Sequence, residues 1–293
     1  MPFPVRNETK ELNADARHSA GGSFIQLRGG ITHYEAGGNE SGDLVVLVHG
    51  FSVPYFIYDP TFEFLSRSGF RVVRYDLFGR GYSDRPQATY DIDFFVTQLA
   101  DLLDALRISS PVSLVGLSMG GPIASTFTVR YPERIRKLVL IDPAGAKPIA
   151  ISPLLRAAKL PQVAEAVLRL VGSDFMLKSI ADDFFDPILV AHFQSRYKIQ
   201  MQYKGFMRAI LSTIRNGMLD SFLDVYRQLG GMETPVLLFW GRNDHTVPFA
   251  HSALIRAAIP NVEFHAIEGC GHLPHYEKPE QVNLILLEFL RQA

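Results

Sequence analysis

The feature that most narrows the fold is an alternation of two kinds of segment. "LVVLVHG" (44–50), "PVSLVG" (111–116), "KLVLID" (137–142), "PVLLFWG" (235–241) and "VEFHAIEG" (262–269) are short and largely apolar. "RVVRYDLFGRGYSD" opens with a similar run before breaking into glycines and polar residues. Continuous apolar runs of this length belong to strands covered on both faces. Between most of them lie segments of helical period. In "IDFFVTQLADLLDALRI" (92–108) the residues Phe95, Leu99, Leu102, Leu103 and Leu106 share one side, and 119–131, 249–259 and 279–291 also read as helices. Strands that alternate with helices predict a largely parallel sheet between two helical layers. "SFIQLRGGITHYEAGG" reads as two short strands around Gly29-Gly30, a hairpin that supplies an antiparallel edge. The expected sheet has about eight strands.

One stretch breaks the rhythm. From Lys147 to Gly231 there is no convincing strand, while "PLLRAAKLPQVAEAVLRLV", "PILVAHFQSRYKIQMQYKGFMRAILSTI" and "LDSFLDVYRQL" look helical. The expected organisation is a polar leader (1–22), a core built from 23–146 and 232–293, and a helical cap or lid (147–231) inserted after strand six. The cap holds Phe175, Met176, Phe184, Phe185, Phe193, Tyr197, Tyr203, Phe206 and Met207. These side chains suit an apolar pocket, and they equally suit packing of the cap against the core.

Composition removes several classes of function. Lys and Arg number 29 against 30 Asp and Glu, a net charge of −1 that gives no electrostatic footprint for nucleic acid. The single cysteine, Cys270, rules out an intramolecular disulfide and a cysteine-based metal site. The leader lacks the apolar core of a secretory signal, and no apolar run is long enough for a transmembrane segment. The expectation is a cytoplasmic protein that needs no cofactor or metal.

In an open parallel sheet, ligands bind beyond the carboxyl ends of the strands. His49-Gly50-Phe51 follows one strand, Ser118 the next, and Asp142, Asn243-Asp244-His245 and Cys270-Gly271-His272 follow three more. Gly116-Leu117-Ser118-Met119-Gly120 is a G-x-S-x-G sequence between an apolar strand and a helix, the context in which this motif presents a serine on a sharp turn. A serine needs a base and a group to orient that base. Among nine histidines, His272 sits in a glycine-rich loop just past the last strand. For the acid, Asp244 gives the chain order Ser, Asp, His, while Asp142 before Pro143 reads as a turn or supporting residue. The N–H groups of Phe51 and Met119 are the candidates for an oxyanion hole. His272 and His275 make a poor metal pair, because no third ligand stands at a convincing spacing.

Taken together, "VLVHGFS", "RYDLFGRGYSDRP", "LVGLSMGGPIA", "LVLIDPAG", "LFWGRNDHTVP" and "GCGHLPHYEKPE" resemble the α/β-hydrolase fold superfamily, over nearly the whole chain from about Phe24 onward. Within it the chain is most similar to small bacterial esterases and monoacylglycerol-lipase-like enzymes. The resemblance implies a three-layer α/β-hydrolase fold and a triad of Ser118, His272 and Asp244, with Asp76, Arg80 and Ser83 shaping a structured loop. Relatives of this fold that are haloalkane dehalogenases or epoxide hydrolases carry an aspartate at the elbow, and Ser118 argues against both. The expected activity is hydrolysis of a small-molecule carboxylic ester. Two alternatives stay open: carbon–carbon bond hydrolysis of a vinylogous diketone, and a non-catalytic protein that binds a small molecule.

Overall fold

The computed structural model describes residues 5–149 and 174–292. Eight strands form one sheet in the order β1-β2-β4-β3-β5-β6-β7-β8. They are β1 (Ser23–Leu27), β2 (Gly30–Gly38), β3 (Leu44–Val48), β4 (Arg71–Tyr75), β5 (Val112–Leu117), β6 (Ile135–Ile141), β7 (Val236–Gly241) and β8 (Glu263–Ile267). β1 pairs antiparallel with β2, and β2 antiparallel with β4. From β4 through β3, β5, β6 and β7 to β8 every pairing is parallel. The expected parallel sheet with an antiparallel hairpin at one edge is therefore present.

The apolar runs are explained by a sheet with two dry faces. Along β3, Val45 and Leu47 enter one core, with Val115, Leu117, Val139, Ile141, Leu237 and Phe239. The alternate residues Leu44, Val46 and Val48 enter the other, with Leu114, Leu138, Leu140, Leu238 and Trp240. Side chains of a strand alternate between faces, so a strand with no wet face must be apolar throughout. The first core is closed by Phe62 and Leu65 of helix 59–67 and by Val282, Leu286 and Phe289 of helix 279–291. The second is closed by Phe95, Leu99 and Leu102 of helix 92–105, by Ile123 and Phe127 of helix 120–130, and by Ile255 near the carboxyl edge. Helix 92–105 starts where the Asp91 side chain accepts the Phe94 N–H at 2.9 Å. The segment read as one helix over 249–259 is a 3₁₀ turn (Phe249–His251) running into helix Ser252–Ala258.

Between β6 and β7 the described residues are helical, at Asp174–Ser179, Ile188–Met201, Phe206–Arg215 and Leu223–Gly230. The remainder of the segment read as a cap, 150–173, lies outside the described residues. Phe193, Tyr197, Phe206 and Met207 are fully buried in the first core, whereas Phe185 is 52% exposed. Phe193 packs edge-on to Phe56, Phe184 and Tyr276, with ring centroids 5.1–5.3 Å apart. The helical segment thus docks on the loop just past Ser52 and on the turn beyond β8.

The order of the strands reverses direction at β3, with β4 on one side and β5 on the other. A crevice forms where crossovers leave in opposite directions, and here it falls beyond Val48 and Leu117.

Candidate active site

Ser118 is the first residue beyond β5, and its φ is +52°. Only Arg107 and Asp142 among the described non-glycine residues also have positive φ. For a residue with a Cβ this conformation is costly and has to be held by its surroundings. The surroundings are visible. The Ser118 N–H donates to Ile141 O at 2.9 Å, and Ser118 O accepts from Gly121 N–H at 2.9 Å and Ala144 N–H at 3.0 Å. The flanking glycines are required by close approach. A Cβ on Gly116 would collide with the Gly120 carbonyl, and one on Gly120 would strike the Val48 carbonyl. The helix that follows, Gly120–Arg130, points its amino end at the serine.

The loops after β7 and β8 are stitched together. Arg242 N–H donates to Ile267 O at 3.0 Å and Asn243 N–H to Cys270 O at 2.9 Å. There is no room for a side chain at Gly241, where a Cβ would drive into the Gly271 carbonyl. This pairing brings Asp244 to His272, with Oδ2 2.7 Å from Nδ1 and both residues about 4% exposed. The other oxygen of Asp244 accepts from the N–H groups of Thr246 at 2.8 Å and Val247 at 2.9 Å. Burial opposes a charge on His272, but Asp244, and after it Asp183 and Glu277, outweigh burial and raise the imidazole above its ordinary pKa. Nδ1 faces a carboxylate, so it carries the proton in the neutral ring and Nε2 is the basic nitrogen. Among the described residues, neither His272 Nε2 nor Ser118 Oγ has a hydrogen-bond partner, and no hydrogen bond joins the two.

The N–H groups of Phe51 and Met119 likewise have no acceptor among the described residues. The Phe51 loop abuts the serine, since a Cβ on Gly50 would lie 3.1 Å from Ser118 Cβ and 3.6 Å from its Oγ. Phe51 is held from behind by Arg80, whose Nε donates to the Phe51 carbonyl at 2.8 Å. Arg80 is fully buried and also donates to Phe78 O at 3.1 Å and Thr213 Oγ1 at 2.9 Å. Burial lowers its pKa to about 10, which leaves it charged at neutral pH.

Asp76 organises the loop it was expected to shape. It accepts from Tyr55 N–H and Tyr82 N–H, each at 2.9 Å, and lies 2.7 Å from His33 Nδ1. Ser83 donates to Asp76 O at 2.6 Å. His49 accepts the Leu77 N–H at Nε2, and burial lowers its pKa to about 4. His275 packs against the Tyr58 ring with centroids 4.9 Å apart, and burial takes its pKa to about 3. His245 is exposed.

Besides Asp244, three carboxylates surround the histidine, and of these the sequence reading gave a role only to Asp142. Asp142 is fully buried directly after β6, with its Oδ1 accepting the Gly241 N–H at 2.9 Å. One ligand-capable atom from each of Asp142, Asp244 and His272 falls within a 4.8 Å span. Those of Asp244 and His272 are turned on each other, an arrangement that suits proton chemistry better than a shared cation. Asp183 enters from the helical segment. Its carbonyl accepts the His272 N–H at 2.8 Å and its carboxylate accepts the Thr246 hydroxyl at 2.5 Å. The residue is half-buried but its carboxyl end is enclosed, and burial raises its pKa to about 6. Glu277 accepts N–H groups from Gly271 at 2.7 Å, Phe185 at 2.8 Å and Asp186 at 2.9 Å, which straps the histidine loop to the same segment. No spacing rule points to Asp183. Glu277, five residues past His272, was within reach of a local reading.

A sequence model described as alpha/beta hydrolase fold matches residues 43–279. The 2-hydroxy-6-oxononadienedioate/2-hydroxy-6-oxononatrienedioate hydrolase of Burkholderia vietnamiensis is 28% identical over 89% of this chain and 91% of its own. Among solved structures, the meta-cleavage product hydrolase CumD of Pseudomonas fluorescens IP01 is similar at 26% identity, with a TM-score of 0.76 over 92% of this chain and 97% of that one. A thermophilic esterase from Thermogutta terrifontis is similar at 27% identity, with a TM-score of 0.77 over 93% of this chain and 98% of that one. Among the described residues no helix is long and apolar enough to cross a membrane. The sheet order and the matched span agree: the chain belongs to the alpha/beta hydrolase fold family.

Proposed function

We propose that the protein is a serine hydrolase of carboxylic esters, with small to medium acyl esters or monoacylglycerols as substrates. The observation that carries this reading is the positive φ of Ser118 just past β5, together with a buried His272–Asp244 pair held past β7 and β8 at the same edge of the sheet. Backbone strain of this kind is kept where it presents a reacting group.

In the proposed reaction, Ser118 Oγ attacks the ester carbonyl carbon while His272 Nε2 takes its proton. Asp244 holds the ring in the tautomer that makes Nε2 basic and stabilises the imidazolium that forms. The carbonyl oxygen becomes an oxyanion and is met by the two uncommitted N–H groups of Phe51 and Met119. Collapse expels the alcohol, protonated by His272, and leaves an acyl-serine. Water deprotonated by the same ring then releases the acid. The aromatic residues of the helical segment make the surroundings apolar and favour an acyl substrate.

The ester and carbon–carbon readings share Ser118, His272 and Asp244, so substrate preference separates them, and the relatives include hydrolases of both kinds. The deciding test compares p-nitrophenyl and glycerol esters, from acetate to palmitate, with an aryl ring-fission diketone. Faster turnover of the diketone would replace the ester reading with the carbon–carbon one. Tight binding of an ester without turnover of either class would favour a binding protein.

A further inference from the structure

Asp142 is a fully buried carboxyl at this rim to which the mechanism gives no task. Its Oδ1 is satisfied by the Gly241 N–H, but its Oδ2 is buried with no donor. An ionised oxygen without a donor in an apolar interior is strongly disfavoured. The groups facing it are Asp244 and His272, each with an atom within 4.8 Å, then Glu277 and the Cys270 thiol, with Asp183 beyond Asp244. Except for His272 none of them can carry a positive charge. The backbone fixes Asp142 as firmly as it fixes Ser118. Its φ is +42°, its N–H donates to Phe239 O at 3.0 Å, and the preceding carbonyl, Ile141 O, accepts the Ser118 N–H.

We propose that Asp142 is a positioning residue that stays protonated through the catalytic cycle and donates its carboxyl hydrogen to Asp244. This rests on the reading of Asp244 as the orienting acid of Ser118 and His272. The hydrogen bond gives Asp244 a fourth partner, after Thr246 N–H, Val247 N–H and His272 Nδ1. It fixes the plane of the carboxylate, and it withdraws charge from the oxygens facing the imidazole. Burial and the neighbouring Asp244 together hold the Asp142 carboxyl well above the usual carboxylate range, the direction a retained proton requires. No proton transfer from Asp142 is involved. The proton resides on Asp142 because the oxygens of Asp244 already accept the other three donors.

The proposal separates two substitutions that a merely structural role would treat alike. Asp142→Asn keeps an acceptor for Gly241 and an N–H donor for Asp244. Asp142→Leu keeps the volume but offers neither. The kcat/KM of a p-nitrophenyl ester is measured against pH for wild type, both variants and Ser118→Ala, with thermal unfolding in parallel. Asp142→Asn is expected to stay within about threefold of wild type with its acid limb unmoved. Asp142→Leu is expected to lose roughly 10- to 100-fold, the range for a hydrogen bond to a charged group. Its acid limb should move to higher pH, because an unrelieved Asp244 charge raises His272.

Should the leucine variant fail to fold, the asparagine variant decides alone, with the infrared band of a protonated carboxyl in wild type, absent from Asp142→Asn, as its spectroscopic partner. An acid limb that shifts to lower pH in Asp142→Asn would mean that a negative charge had been removed, and would overturn the proposal. A loss of several orders of magnitude in the same variant would make Asp142 the orienting acid and would also overturn it. Undiminished turnover by Ser118→Ala refutes the serine-hydrolase reading itself, a different outcome from either of these.

Discussion

The guanidinium of Arg80 donates to the carbonyl of Phe51 at 2.8 Å, so a buried cation fixes the loop that abuts the serine. In the proposed reaction it acts through Phe51 rather than on a substrate. Arg80→Gln should lower kcat by about 10- to 100-fold with little change in KM, since a displaced N–H weakens stabilisation of the transition state alone. Steady-state kinetics on a p-nitrophenyl ester give the split.

Two glycines near Ser118 should respond differently to a methyl group. Gly120→Ala drives a Cβ into the Val48 carbonyl between β3 and the elbow, and should cost about 3 kcal/mol of stability by denaturant unfolding. Gly50→Ala places its Cβ 3.1 Å from Ser118 Cβ and 3.6 Å from Oγ, beside the reacting group rather than inside the fold. That variant should unfold nearly as wild type yet turn over at least about tenfold more slowly.

The proposed general base works only as a neutral ring. Asp244 raises His272 above the ordinary histidine value, so the acid limb of kcat/KM should lie above pH ~6.5. Asp244→Asn removes the charge that does most to hold it there. The limb should move to lower pH while kcat falls by about 10⁴-fold, as expected when the ring loses its orienting partner.

Asp183 predicts an unusual sign for stability against pH. Burial raises its folded pKa to about 6, above the value near 4 of an unfolded chain. Such a group favours the fold below its unfolded pKa, and that contribution is lost as pH rises through the folded pKa. Raising the pH from 4 to 7 should therefore cost on the order of 1–2 kcal/mol at this residue. Asp183→Asn should abolish that part of the slope and unfold at a higher temperature than wild type at pH 8, as calorimetry at several pH values would show.

Much of this architecture was legible in the chain, for a definite reason. A strand dry on both faces leaves an apolar run, unbroken in β3 and β7 and interrupted only by Ser113 in β5 and by Arg136 and Lys137 near the start of β6. Ser118, Asp244 and His272 could be singled out because each follows one of the parallel strands at the same edge, and of the three the structure joins Asp244 to His272 directly, at 2.7 Å. Edges of elements were less legible. The helix expected to run to 108 ends at Ala105, where Arg107 adopts a φ of +56° that no local pattern announces. Asp183 and the unpaired oxygen of Asp142 were invisible for another reason. Their significance comes from burial beside groups about 60 and 100 residues away in the chain, and burial of one carboxyl against another leaves no periodic trace.

The most direct measurement is covalent labelling with a fluorophosphonate, followed by mass spectrometry of the digested protein. The account predicts one stoichiometric adduct on the peptide that carries Ser118, and neither adduct nor ester turnover in Ser118→Ala, with turnover down at least about 10⁴-fold. An adduct elsewhere, or substantial hydrolysis by the alanine variant, would contradict it.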